Sequence, residues 1–241
     1  MSMKSALQEM EQEAGLPAPA EARQPQLPSD QAAPIESVMV VEPHSLQAEA
    51  IRGLRTRLSA QHLREGRRSL AICSPTAESG CTYIALNLAV AMAQAGVRTA
   101  LVDANLRDPM IADLCGLPLE MPGLSDYLAS DGLAMSEIVD TELMPNLAVI
   151  GAGEVPDNPQ ELLSGARFRG LVDQLLREYD LTIFDTAPAN ICSDGQRIAT
   201  LAGFSLIVSR KHKTYVQDVK TLAKQLRADR SVVVGSILNS F

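Results

Sequence analysis

Residues 74–89, SPTAESGCTYIALNLA, hold the residue types and spacing closest to a chemical site. A loop of the form G-x-x-x-x-G-K-[S/T] that opens a helix cradles phosphates. Here Gly80 is the second glycine and Thr82 the hydroxyl residue, while Pro75 stands at the first glycine and Cys81 at the lysine. Successive amides over 78–82, with the start of the helix, form a nest for an anion. The Thr82 hydroxyl is placed to ligate Mg²⁺. Glu78, Ser79, Gly80, Cys81, Thr82 and Tyr83 are the candidate binding set. A thiol at a helix N-terminus can also ionise easily, which allows a redox switch at Cys81. The simpler reading is a small residue tolerated where lysine is no longer needed.

Two acids extend the constellation. TALVD (99–103) and LTIFD (181–185) are short apolar runs ending in Asp103 and Asp185. In open α/β sheets, ligands sit at the carboxyl ends of the strands. Asp185 is placed to hold the same ion as Thr82 through water, and Asp103 is a second carboxylate for metal or for a base. The structural alternative for both is capping of a neighbouring loop. Convergence with the loop on one edge favours function.

The elements that must position these residues follow from hydrophobic runs. SLAIC (69–73), LAVIG (147–151), FSLIVS (204–209) and SVVVGSIL (231–238) read as further strands. Helices are expected over 81–95 with Gly96 at the C-cap, over 170–179, and over 214–228. Continuous apolar strands alternating with helices give a mostly parallel α/β sheet with helices on both faces. Ser45 is a plausible N-cap for an earlier helix whose apolar face holds Ile51, Leu54 and Leu58. Beside that face run Glu49, Arg52 and Arg55 at three-residue spacing. Two arginines compete there for one carboxylate, so the excess charge is expected to need an acceptor outside the helix. Arg57, Arg64, Arg67 and Arg68 follow, making a basic segment in an acidic protein.

Composition narrows the class. With 241 residues the chain fits one α/β domain plus an appendage, and its net charge of −8 argues against nucleic-acid partners. Residues 1–38 carry two basic and six acidic side chains and five prolines, which predicts a disordered tail ahead of a domain over 39–241. Cys73, Cys81, Cys115 and Cys192 lack metal-site spacing and read as reduced, cytoplasmic thiols. The first residues have no signal-peptide core, and the apolar stretch 83–97 is broken by Asn87 and Gln94. A soluble chain is expected, with any membrane role passing through a partner.

On these motifs residues 38–241 resemble the bacterial tyrosine kinases of capsule and exopolysaccharide synthesis, within the deviant P-loop ATPases. Glu49, Arg52 and Arg55 match the family's E-x-x-R-x-x-R, which implies that the helix over 45–65 builds a ring. LVDANLR matches D-x-D-x-R with Asp103 and Arg107 but has Asn105 for the second acid. TIFDTAP matches D-[T/S]-P-P with Asp185 and Pro188 and has Ala187 for one proline. GLSDYL, PDNPQELLS and GSILN are similar to the family as well. The resemblance implies a P-loop NTPase-type fold and binding of ATP or ADP with Mg²⁺. It makes Asp103, Asp185 and Arg107 the candidate catalytic residues, and Thr82, Asp103 and Asp185 the candidate metal set. It implies a homo-oligomer, or a mixed ring with an active kinase. It also implies a membrane chain-length-determinant partner that would hold the protein at the inner membrane.

The departures point to impaired catalysis. Cys81 removes a fixed cation, Asn105 removes a carboxylate, and Tyr83, Tyr127, Tyr179 and Tyr215 form no C-terminal cluster. A non-catalytic relative that regulates a polysaccharide assembly complex by binding is the leading expectation. The second is an active tyrosine autokinase in which Arg107, Lys211 or Lys213 supplies the missing cation. The third is a partitioning or positioning ATPase, against which SPTAESGCT offers no lysine at all.

Overall fold

The computed structural model describes residues 35–240. Two helices come first, α1 (Val38–Val41) and α2 (Leu46–Gln61), followed by β1 (Ser69–Cys73) and α3 (Cys81–Gln94). Then come β2 (Thr99–Asp103), α4 (Ile111–Cys115), α5 (Leu124–Ala129), α6 (Met135–Ile138), β3 (Asp140–Met144) and β4 (Leu147–Ile150). The remainder is α7 (Pro159–Ser164), α8 (Ala166–Glu178), β5 (Leu181–Asp185), α9 (Asp194–Ala202), β6 (Phe204–Arg210), α10 (Val216–Ala228) and β7 (Val232–Asn239).

The seven strands run in the order β3-β4-β2-β5-β1-β6-β7, and every pairing is parallel except β3 with β4. Alternation along the strands feeds two cores. Leu70, Ile72, Leu101 and Ile183 face α2 and α3, while Ala71, Val102, Phe184 and Ile207 face α8, α9 and α10. A sheet covered on both sides needs strands apolar at most positions, which is why β1, β2 and β5 read as near-continuous apolar runs. The expected mostly parallel α/β fold is the observed one.

Local differences have physical causes. β3 was not expected; it lies at the sheet's end and its DTELM sequence is largely solvated, so no apolar run marks it. The 170–179 helix starts earlier, at Ala166, and carries Gly170 in its interior. The turn after α3 has Ala95 at the cap and Gly96 just beyond it, at φ +81. Ser45 does cap α2, accepting from the amide of Ala48. Residues 1–34 of the expected tail lie outside the described residues. Within its last part, Ile35 and Ser37 are buried, and Ser37 donates to Asn87 Oδ1 on α3 at 2.8 Å. Packing thus begins ahead of residue 38. No described helix is long and apolar enough to cross a membrane.

Candidate functional site

The carboxyl edge of the sheet gathers the predicted residues. β1 lies between β5 and β6, so the loop after β1 is flanked by the loops that follow both. The Ser74 and Pro75 carbonyls accept from the amides of Ala189 and Asn190, which fixes the loop's first half against the β5 loop. Its second half is fixed on the β6 side. Thr76 Oγ1 lies 3.2 Å from Thr214 Oγ1, and Arg210 donates to the Glu78 carbonyl at 3.1 Å. Lys213 pairs with the Glu78 carboxylate. Glu78 (φ +54) and Gly80 (φ +88) both take left-handed backbone. At Gly80 a side chain is also excluded by space, since a Cβ would collide with Asn239 Nδ2, which donates to the Ser79 carbonyl.

The cradle fits an anion. Among the described residues the amides of Ser79, Gly80, Cys81 and Thr82 meet no acceptor. They stand at the start of α3, where the helix dipole favours negative charge. A cavity of about 450 Å³ opens over them, lined also by Asn105, Arg107 and Thr186 to Pro188. A larger hollow of about 680 Å³ adjoins it and shares Glu78, Gly80 and Tyr83.

Thr82 Oγ1 donates to Asp185 Oδ2 at 2.5 Å. Asp185 is 1% exposed and its Oδ1 has no partner among the described residues. Burial, and then the neighbouring charge of Asp103, push its carboxyl well above the usual carboxylate range. An orphaned oxygen beside a hydroxyl is a fitting half of a Mg²⁺ site, the rest coming from phosphate and water. No three described His, Cys, Asp or Glu side chains group closely enough to hold a metal by themselves.

Asp103 stands opposite Asp185 in the β2–β5 register. Its oxygens are already engaged: Oδ1 accepts from the Asn105 amide, and Oδ2 from those of Met110 and Ile111, at 3.0–3.2 Å. These are the contacts of the loop-capping alternative named for Asp103 from the sequence. Burial raises its pKa to about 6 against those bonds. Asn105 lines the cavity but bonds its own turn, donating to the Asp108 carbonyl at 2.7 Å.

Cys81 is buried, and burial lifts its thiol well above the ordinary value, with the Asp185 charge adding to the rise. The less favoured reading, an easily ionised thiol at a helix start, runs against this direction, and the simpler reading of a small tolerated residue agrees with it. The lysine position thus holds a neutral group. Of the three residues read as replacement cations, Arg107 lines the cavity, and Lys213 pairs with the exposed Glu78 carboxylate. Lys211 is exposed, and its backbone amide donates to the Asn239 carbonyl.

The basic stripe on α2 also differs from expectation. Arg52 donates to Glu49 at 3.3 Å and to the Pro43 carbonyl at 2.7 Å, and Arg55 donates to the Ala91 carbonyl at 3.3 Å. Both arginines have acceptors inside the domain, so the premise that they need an outside one fails. Sequence reasoning missed Asp194 and Asn239 as site residues. Asn239 ends the GSILN stretch that carried part of the resemblance, whereas SDG around Asp194 looks like an ordinary turn.

No family model matches the chain. Tyrosine-protein kinase YwqD of Bacillus subtilis is 31% identical over 202 residues, covering 84% of the chain and 84% of that protein. EpsB of Ralstonia nicotianae is 32% identical over 198 residues, which cover 82% of the chain and only 26% of EpsB. The chain thus spans about a quarter of such longer relatives. Among solved structures, the kinase domain of Escherichia coli tyrosine kinase ETK superposes with a TM-score of 0.81 at 30% identity, covering 89% of the chain and 83% of that domain.

Proposed function

The chain belongs to the bacterial tyrosine-protein kinases, and we propose that it keeps a nucleotide-phosphate site for binding while phosphoryl transfer to tyrosine is impaired. The observation that carries this reading is Cys81, a buried neutral thiol at the position of the loop's cation. Charge stabilisation dominates phosphoryl transfer, so a missing cation there weakens the transition state more than the ground state. Bound Mg²⁺ would supply charge neutralisation between phosphates, held by Thr82 and Asp185. The amides of Ser79 to Thr82 orient the phosphates. Asp185 keeps Thr82 Oγ1 aimed through the hydrogen bond between them.

In this reading the protein regulates capsule or exopolysaccharide polymerisation and export by binding. Its partners are further copies or an active kinase in a mixed ring, together with a membrane chain-length-determinant protein that would hold it at the inner membrane. Self-association is assigned to α2, where Arg52 and Arg55 keep N–H donors beyond the bonds already made. An active autokinase is the second reading, favoured by Arg107 in the cavity. Mass spectrometry after incubation with Mg-ATP separates the two. We expect no appreciable phosphotyrosine; stoichiometric phosphotyrosine overturns the first reading and establishes the second.

A further inference from the structure

The Arg107 guanidinium is held unlike the other cations near the phosphate loop. Its Nε donates to Asp194 Oδ2 at 2.7 Å. The Asp194 side chain is 1% exposed, and its Oδ1 has no partner among the described residues. A buried carboxylate with one cationic partner cannot release it cheaply, because an unpaired buried charge is left behind. Arg107 is therefore pinned at one nitrogen while the guanidinium keeps four other N–H donors, with Cys192 as a further neighbour. Lys213 contrasts with it. Its Glu78 partner is 73% exposed, so that pair is screened and weakly held.

The charges around the cavity give the pinned group its task. Among the described residues that line it, Arg107 is the only lysine or arginine, and Glu36, Glu78 and Asp108 are acids. With Glu78 paired to Lys213, Glu36 and Asp108 remain as lining acids, and Arg107 is the lining cation that adds to the amide cradle. We propose that Arg107, positioned by Asp194, is the fixed cation of this cavity, standing in for the lysine that Cys81 displaces, and that it binds the terminal phosphates of a nucleoside di- or triphosphate. This rests on reading the cavity as a nucleotide site.

Calorimetry with AMP, ADP and ATP tests it, on the full chain with Mg²⁺. Arg107→Ala is expected to weaken ADP and ATP roughly 10- to 100-fold, the range of a lost hydrogen bond between charged groups, and AMP far less. Asp194→Asn should give part of that loss, and none further once Arg107 is already alanine. A merely structural Asp194 would lower melting temperature without this dependence on phosphate number. In a Cys81→Lys background the Arg107→Ala effect should shrink several-fold, since two cations then share one task. ADP affinity unchanged by Arg107→Ala, in protein that binds ADP, overturns this inference alone. Absence of ADP and ATP binding by the unaltered chain overturns the nucleotide reading itself, and this inference with it.

Discussion

Asp103 and Asp185 end neighbouring strands, stand in register and are equally buried, yet their surroundings differ. Asp103 accepts three backbone amides and holds together the turn that leads into α4. Asp185 accepts from Thr82 with one oxygen and leaves the other without a partner. Position on a sheet edge places a carboxylate; the donors around it decide whether it is structural or held ready for a ligand. The first acid offsets part of its desolvation inside the fold through three amides, whereas the second has one hydroxyl donor and an oxygen without a partner among the described residues.

The largest effect is expected from Asp103→Ala. It strands the buried amides of Asn105 and Ile111 and the part-buried amide of Met110, and each lost acceptor in a buried setting costs on the order of 1–3 kcal/mol. Chemical denaturation should show a loss of about 3–5 kcal/mol, the range for breaking a buried network. Asp103→Asn, which keeps an acceptor oxygen, should lose much less. A loss under about 1 kcal/mol for the alanine variant would erase the contrast between the two acids.

Asp185→Asn comes next and has the opposite sign. Removing a buried charge that lacks a full set of donors should stabilise the ligand-free protein by about 1–2 kcal/mol. The pH dependence follows from both carboxyls, whose folded pKa values lie above the unfolded value near 3.9. Above about pH 4 the native state then binds more protons than the unfolded chain, so stability falls as pH rises. For Asp103 the decline runs through about 6, and Asp185, also raised, adds to it in the same direction. The two carboxyls therefore pull denaturation midpoints down as pH rises, against the opposite pull of His62, whose pKa burial lowers, and the downward pull should weaken in Asp185→Asn. A profile unchanged by the substitution would show that Asp185 is charged and satisfied without ligand.

The sheet edge was legible in the sequence because fully buried strands leave no choice of residue. SLAIC, TALVD and LTIFD name their own limits, and the acids at two of them mark the edge. β3 left no such mark, being an edge strand with one wetted side. The pairing of Thr82 with Asp185 followed from convergence on that edge. Asp194 with Arg107 did not, since 87 residues separate them and neither neighbourhood advertises the other. The acceptors of Arg52 and Arg55 are the carbonyls of Pro43 and Ala91, and backbone acceptors have no sequence signature. The sign of the Cys81 shift depended on burial, which a motif does not encode.

The smallest effect should come from Thr82→Val, which keeps side-chain volume and removes the donor to Asp185 Oδ2. A hydrogen bond to a charged acceptor is ordinarily worth about 1.5–3 kcal/mol. Here the loss is capped, because Asp185 already sits well above the carboxylate range and can take up a proton instead of remaining an unsupported anion. The substitution removes an interaction that favours the charged form, so the folded pKa moves further up. Stability should then fall by about 1 kcal/mol at pH 8 and by less at pH 5, because lower pH moves Asp185 toward its protonated form in both proteins. Denaturation curves at the two pH values measure the difference directly. A loss as large as that of Asp103→Ala, and equal at both pH values, would mean that Asp185 is as fully committed to the fold as Asp103 and has no oxygen in reserve for an ion.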